Sequence, residues 1–280
     1  MNKSERGAPT VSTTTEADDW PAVVAGRPRT DLVQSLERGL AVLRCFTRDE
    51  PALTLSEVAA RTGLTRAAAR RFLLTLEHLG YVTLDGRRFS LRPRVLELGY
   101  TYLSSFGLPE IAEPHLEALV ERTHESSSVS VLDGDDIVYV LRIPTKRIMT
   151  VSLAVGSRLP AYATSMGRVL LGALPQPELC AYLDRVELRA LTPRTIADRQ
   201  RLEDVIASAR AQGWCLVDQE LEEGVRSVSA PLTTRSGKVV AAINVSAHAS
   251  RITLDQIRQR LAPEVRDAAA AISADLQRRL

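Results

Sequence analysis

The chain has 280 residues and 45% hydrophobic content, enough for one large or two modest domains with cores of their own. Lys+Arg number 36 against 34 Asp+Glu, a net charge of +2, which excludes a uniformly basic nucleic-acid binder and confines any cationic surface to one region. Cys45, Cys180 and Cys215 have neither CxxC nor Cys/His spacing, so the sequence offers no disulfide framework or metal site, and no cofactor motif accompanies them.

Residues 1–30 are rich in Ser, Thr, Pro and Gly, lack periodicity and lack the apolar centre of a signal peptide; a disordered tail is expected. No apolar run reaches the length that spans a bilayer, and a cytoplasmic protein with no membrane partner is expected. From Val33 to Phe46, apolar residues at Leu36, Leu40, Leu43 and Phe46 predict an amphipathic helix. Thr54 with Glu57 three residues on makes a capping box for a short helix ending at Gly63. Thr65 caps the next helix, which Gly80 terminates, and "YVTL-DGRR-FSL" predicts a hairpin around Asp85-Gly86. Helix, helix, tight turn, helix and hairpin describe a winged helix-turn-helix over residues 31–92.

In the third helix the 3.6-residue period puts Ala69, Phe72, Leu73, Leu76 and Leu79 on one side. Arg66, Ala67, Arg70, Arg71, Leu74 and His78 fall on the other. Arg61, Arg66, Arg70 and Arg71 have no acid among them, although cations at a helix start oppose its dipole. A solvated face would explain an isolated charge run. Here the run opens the second helix of a helix-turn-helix, and Val33–Arg92 holds ten arginines against six acids. Phosphates supply the missing anions if this helix enters a major groove. The candidate DNA contacts are Ser56, Thr65, Arg66, Ala67, Arg70 and Arg71, with Arg87 and Arg88 on the hairpin.

Residues 93–107 predict a connecting helix, and the pattern changes at residue 108. "LPEIAEPHLEALVERTH" is helical, "SSVSVL-DGDD-IVYVLRI" is a hairpin and "RIMTVSLAV" a further strand. "AYATSMGRVLLGAL" and "LEDVIASARAQG" read as helices. "WCLVDQ", "VRSVSAPLTT" and "KVVAAINVSAH" read as strands, and a helix closes the chain. The expected class is α+β, with helices flanking an antiparallel sheet in residues 108–280.

An enzyme is the rival class. Asp218, Glu220, Glu222 and Glu223 cluster in "VDQELEEG", but such clusters are usually solvated loops. The four histidines lack metal-ligand spacing, "ATSMG" is not a nucleophile elbow, and no phosphate-binding glycine loop occurs. A non-enzyme without cofactor or metal is expected.

"SLERGLAVLRCF", "LTLSEVAARTGLTRAAARRFLLTLEHLGYV" and "FSLRPRVLELG" resemble the DNA-binding half of the IclR transcriptional regulators. "LPAYATSMGRVLL", "VDQELEEGVRSVSAPL" and "VVAAINVSAHASRIT" resemble the family's effector-binding half. Within it, "TRAAARRFLLTL", "HESSSVSVLDGDDIVYV" and "PTKRIMTVSLAVGSRLPAYATSMGRVLL" are most similar to the β-ketoadipate-pathway regulators of Pca/Pob type. The resemblance implies a winged helix joined by a helix to a GAF-like domain, as a homodimer or homotetramer on palindromic double-stranded operators. It also implies control of genes for protocatechuate or related aromatic-acid catabolism, and a small carboxylate effector, protocatechuate or β-ketoadipate, is expected. Family pockets map onto Ser165, Met166, Val217, Ser227, Asn244 and Ser246; on physical grounds Arg142 or Arg147 offers a charge-assisted partner for the carboxylate. Val217 stands where some members have an aspartate, and Ser227 where some have a cysteine.

Overall fold

The computed structural model describes residues 31–105, 107–145 and 153–279. The expected tail, Arg147 and most of the expected strand "RIMTVSLAV" lie outside them. The chain divides into two compact units, the first ending at Tyr100 and the second beginning at Thr101. The division falls inside the expected connecting segment, which forms a 3-10 turn at Pro93–Val95 and helix α4 at Leu96–Ser105.

The first unit contains α1 (Gln34–Arg44), β1 (Ala52–Thr54), α2 (Leu55–Thr62), α3 (Arg66–His78), β2 (Val82–Asp85) and β3 (Arg88–Leu91). Local chemistry sets its boundaries. Glu57 N–H donates to the Thr54 hydroxyl and Thr54 N–H to the Glu57 carboxylate, completing the capping box at the start of α2. Gly63, at φ +64°, turns the chain between α2 and α3 in the left-handed region that a side chain would oppose. Thr65 accepts from Ala68 N–H and begins α3. Val58, Leu73, Val82 and Phe89 meet in the core.

Three sequence expectations need correction here. The hairpin acquires a third strand, β1, in the order β1-β3-β2; three residues are too few to show an alternating pattern. On α1 the buried residue is Val42; of the expected stripe, Leu43 packs against the core and Phe46, just past the helix, is buried, while Leu36 and Leu40 are exposed, because the unit's core meets only the C-terminal end of the helix. Leu79, at the end of α3, is also exposed.

The second unit contains α5 (Leu108–Thr123), β4 (Ser126–Asp133), β5 (Asp136–Ile143), β6 (Arg158–Pro160), a 3-10 turn at Ala161–Ala163, α6 (Ser165–Gly172), α7 (Gln176–Arg185) and α8 (Arg199–Gln212). There follow β7 (Cys215–Asp218), β8 (Val225–Thr233), β9 (Val239–His248) and a short α9 (Leu254–Gln256). A π-helical turn, Ile257–Leu261, then leads into α10 (Ala262–Arg279). The strands form one antiparallel sheet in the order β6-β5-β4-β9-β8-β7. Successive side chains point to opposite faces, so each strand serves two layers. Val129, Val228, Ile243 and Val245 face α5 and α10. Ile137, Val217 and Ala242 face the layer of α6, α7 and α8. The observed class is the α+β arrangement expected, with α7 and β6 added.

Helix α6 lies unusually close to the turn before it. A Cβ on Gly167 would sit 2.1 Å from the Ala161 carbonyl oxygen, a backbone atom that cannot swing aside. Gly167→Ala should therefore destabilise the protein by about 1–3 kcal/mol or more, as overpacking does. Thermal denaturation checks this, and an unchanged melting temperature would show that the turn gives way freely.

Candidate functional site

Two surfaces carry chemistry, one in each unit. In the first, Arg66, Ala67, Arg70 and Arg71 are all exposed along the start of α3, and no acidic side chain among the described residues pairs with these arginines. Alanine between long donors leaves the helix narrow enough for close approach to a base edge. Ser56, in the first turn of α2, is exposed. Thr65 is exposed too, with its hydroxyl committed to the cap of α3.

The arginines do not all behave alike. Arg61 is not an unpaired cation: it pairs with Glu50 and donates to the Cys45 carbonyl. Arg88 reaches back across the small sheet to the Ala52 carbonyl (2.8 Å) and lies 4.0 Å from Glu57. Arg87, beside it in the hairpin, is exposed. Arg94 closes the other end of α3. It donates to the Leu79 carbonyl (2.7 Å), packs over the Tyr81 ring and bridges Glu97.

In the second unit, strand register lays out a polar grid beneath α6. One row runs Arg142–Ser128–Asn244–Ser229 across β5, β4, β9 and β8. The next runs Ser126–Ser246–Ser227–Val217 across β4, β9, β8 and β7. Helix α6 drops onto these rows. Ser165 Oγ lies 2.8 Å from Ser227 Oγ, and Ser130 Oγ donates to the Met166 sulfur (3.2 Å). Asn244 Nδ2 donates to Ser227 Oγ and Ser246 Oγ, each at 3.0 Å, and Ser246 Oγ donates to Ser227 Oγ (3.3 Å). Ser165, Ser227, Asn244 and Ser246 are thus one connected cluster; Met166 and Val217 are buried apolar neighbours.

The cluster is not fully satisfied. Asn244 Oδ1 and Ser229 Oγ are buried without a hydrogen-bond partner. An orphaned buried polar atom costs about 1–3 kcal/mol, so these atoms favour a guest that can bond them. Arg142 donates to Ser128 Oγ (3.3 Å), and burial depresses its guanidinium pKa, which the adjacent Tyr139 phenol partly offsets. The same burial pushes Tyr139 up to about 12. A half-desolvated cation beside hydroxyls suits a carboxylate. The start of α6 is less available: Gly167 N–H is taken by the Thr164 hydroxyl (3.1 Å).

Sequence reasoning missed Ser128, Ser130 and Ser229. Their signal was present as serines at alternate positions in "SSSVSVL" and "VRSVSAP", which a strand must place on one face. A separate cleft of about 980 Å³ opens toward the β8–β9 turn, lined by Leu170, Leu174, Val131, Val239, Lys238 and Glu178. It contains none of the cluster residues. Among the described residues no group of His, Cys, Asp and Glu could hold a metal ion, and no helix is long and apolar enough to cross a membrane.

Comparison with known proteins covers both units. The family described as bacterial transcriptional regulator IclR C-terminal matches residues 100–274, and the IclR helix-turn-helix domain matches residues 35–86. The Pca regulon regulatory protein of Pseudomonas putida is 48% identical over 234 residues, which are 83% of this chain and 80% of that protein. A transcriptional regulator of Rhodococcus sp. RHA1 matches in structure with a TM-score of 0.80 and 56% identity, covering 89% of this chain and 100% of that one. The inducer-binding domain of PobR from Acinetobacter, a double mutant in complex with 3-hydroxybenzoic acid, matches with a TM-score of 0.55 and 30% identity. That match covers 59% of this chain and 97% of the domain.

The arginines separate into exposed ones without an acidic partner and ones held within the unit, which mutation can tell apart. Alanine at Arg66, Arg70 or Arg71 should weaken operator binding by about 1–3 kcal/mol and relax specificity where the side chain reads a base. An arginine that touches only phosphate should weaken all sequences alike and flatten the salt dependence. Arg88→Ala should change the slope of binding against salt less than Arg87→Ala does. Gel-shift titrations at several salt concentrations measure both, and normal operator binding by a folded Arg66/Arg70/Arg71 triple alanine variant would remove α3 from the interface.

Proposed function

The chain belongs to the IclR family of transcriptional regulators, and we propose that it controls genes of aromatic-acid catabolism by binding a small carboxylate effector under α6. The carrying observation is the Ser165–Ser227–Asn244–Ser246 cluster with its orphaned Asn244 Oδ1 and Ser229 Oγ. A hydroxybenzoate or a β-keto dicarboxylate matches that grid: its carboxylate pairs with Arg142, and its hydroxyl or keto oxygen exchanges hydrogen bonds with the serines. The cluster is closed by its own hydrogen bonds, so a ligand enters by replacing them. The pathway is supported by the Pca regulon relative, and the ligand class by the hydroxybenzoic acid in the PobR domain. Arg147 remains a candidate second cation from the sequence alone.

In this reading residues 31–92 bind DNA, 93–107 connect, and 108–280 receive the effector. A palindromic operator calls for a homodimer or homotetramer, which gains affinity by holding two recognition helices at a fixed spacing. The exposed Leu36 and Leu40 of α1 offer apolar surface for such an assembly. Effector binding acts on DNA only by favouring one arrangement of the assembly over another.

Calorimetry on the full chain with protocatechuate and β-ketoadipate tests the site. Ser246→Leu should abolish the heat of binding while unliganded operator recognition persists. Undiminished ligand affinity in Ser246→Leu would move the site elsewhere.

A further inference from the structure

The largest fully buried side chain in the second unit is a charged one. Arg168, on α6 one turn beyond Ser165, is 1% exposed. Its Nη1 and Nη2 donate to Glu220 Oε1 (2.8 Å) and Oε2 (2.6 Å), and its Nε donates to the Tyr162 carbonyl (2.8 Å). Glu220, 7% exposed, also accepts from Ile196 N–H (2.9 Å). The segment around it is pinned in turn: the hydroxyls of Thr195 and Thr192 donate to the carbonyls of Glu220 (2.6 Å) and Gln219 (2.7 Å). Gln219 is held at φ +59°, a conformation that a non-glycine residue keeps only when its surroundings enforce it. One two-pronged ion pair therefore ties four segments together: α6, the turn at Tyr162, the loop at Thr192–Ile196 and the chain leaving β7.

Two of the four border the polar grid. Ser165 starts the helix that Arg168 anchors, and Val217, three residues before Glu220, ends a row of the grid. Gly167, between Ser165 and Arg168, lies so close to the Ala161 backbone that no Cβ would fit there. A pair so completely desolvated is a poor source of stability, since apolar residues of similar volume usually serve as well or better. It does fix geometry, because the planar fork of arginine accepts a carboxylate in one orientation.

We propose that Arg168 and Glu220 are positioning residues for effector recognition: their buried ion pair sets where Ser165 stands against Ser227, and so which ligand the grid accepts. This rests on the effector reading above, and the pair itself touches no ligand.

The test uses the full chain and the double variant Arg168→Met/Glu220→Leu, beside Arg168→Lys, which keeps the charge and loses the fork. Two readouts are taken: calorimetric affinity for protocatechuate, and hydrogen exchange at the amides of α6, which needs no ligand. The double variant should melt at or above the wild-type temperature and bind operator normally. Its α6 amides should exchange faster while those of β9 do not, and protocatechuate affinity should fall about tenfold or more, the scale of loss when groups that orient contact residues are removed. Arg168→Lys should show the same changes in smaller degree, and it decides the matter if the double variant fails to fold. Wild-type exchange in α6 together with wild-type affinity in a folded variant overturns the proposal. If the wild-type protein takes up no carboxylate, the effector reading falls, and α6 exchange alone then decides whether the pair positions the helix.

Discussion

A strand must show alternate side chains to opposite faces, and this constraint organises the second unit. Strands β4, β8 and β9 send valine, isoleucine and alanine toward α5 and α10, where burial supplies cohesion. The intervening positions of the same strands send serine and asparagine toward α6. Since the first face holds the sheet to its helices, the second is free to be polar. The sheet can thus be rigid and chemically selective at once.

That freedom leaves buried polar atoms to be satisfied. The hydroxyls mostly bond one another, and two atoms remain without partners. The covering helix is held by a close glycine contact and a buried ion pair rather than by apolar packing alone. The first unit follows a different logic. Its core needs one side of α3, and the other side carries arginines that no acid among the described residues pairs with. In both units the folded structure leaves a specific deficiency, of hydrogen-bond partners in one and of anions in the other. Each deficiency matches the partner proposed for it.

Local features of this design were legible in the sequence. The capping box at Thr54 and Glu57, the left-handed stop at Gly63 and the Asp-Gly hairpin depend on residues within four positions of one another. The serine and asparagine positions of the polar cluster came from family resemblance, and the alternating serines of β4 and β8 would have extended it. What stayed hidden depends on distant partners. Periodicity gave an apolar stripe at Leu36, Leu40, Leu43 and Phe46, but not that the core would meet only its Leu43–Phe46 end. Glu220 looked like part of a solvated acidic loop until α6 brought Arg168 to it, 52 residues away in sequence. Arg88 looked like a free wing cation until β1 supplied the Ala52 carbonyl.

The polar face beneath α6 is the proposed seat of the effector. Crystallising the full chain with protocatechuate tests it directly. The ring is expected between α6 and strands β8 and β9, its polar atoms within hydrogen-bond distance of Asn244 and Ser229 and its carboxylate toward Arg142. Density for the ligand in the cleft near the β8–β9 turn, with the serine cluster still closed, would contradict it.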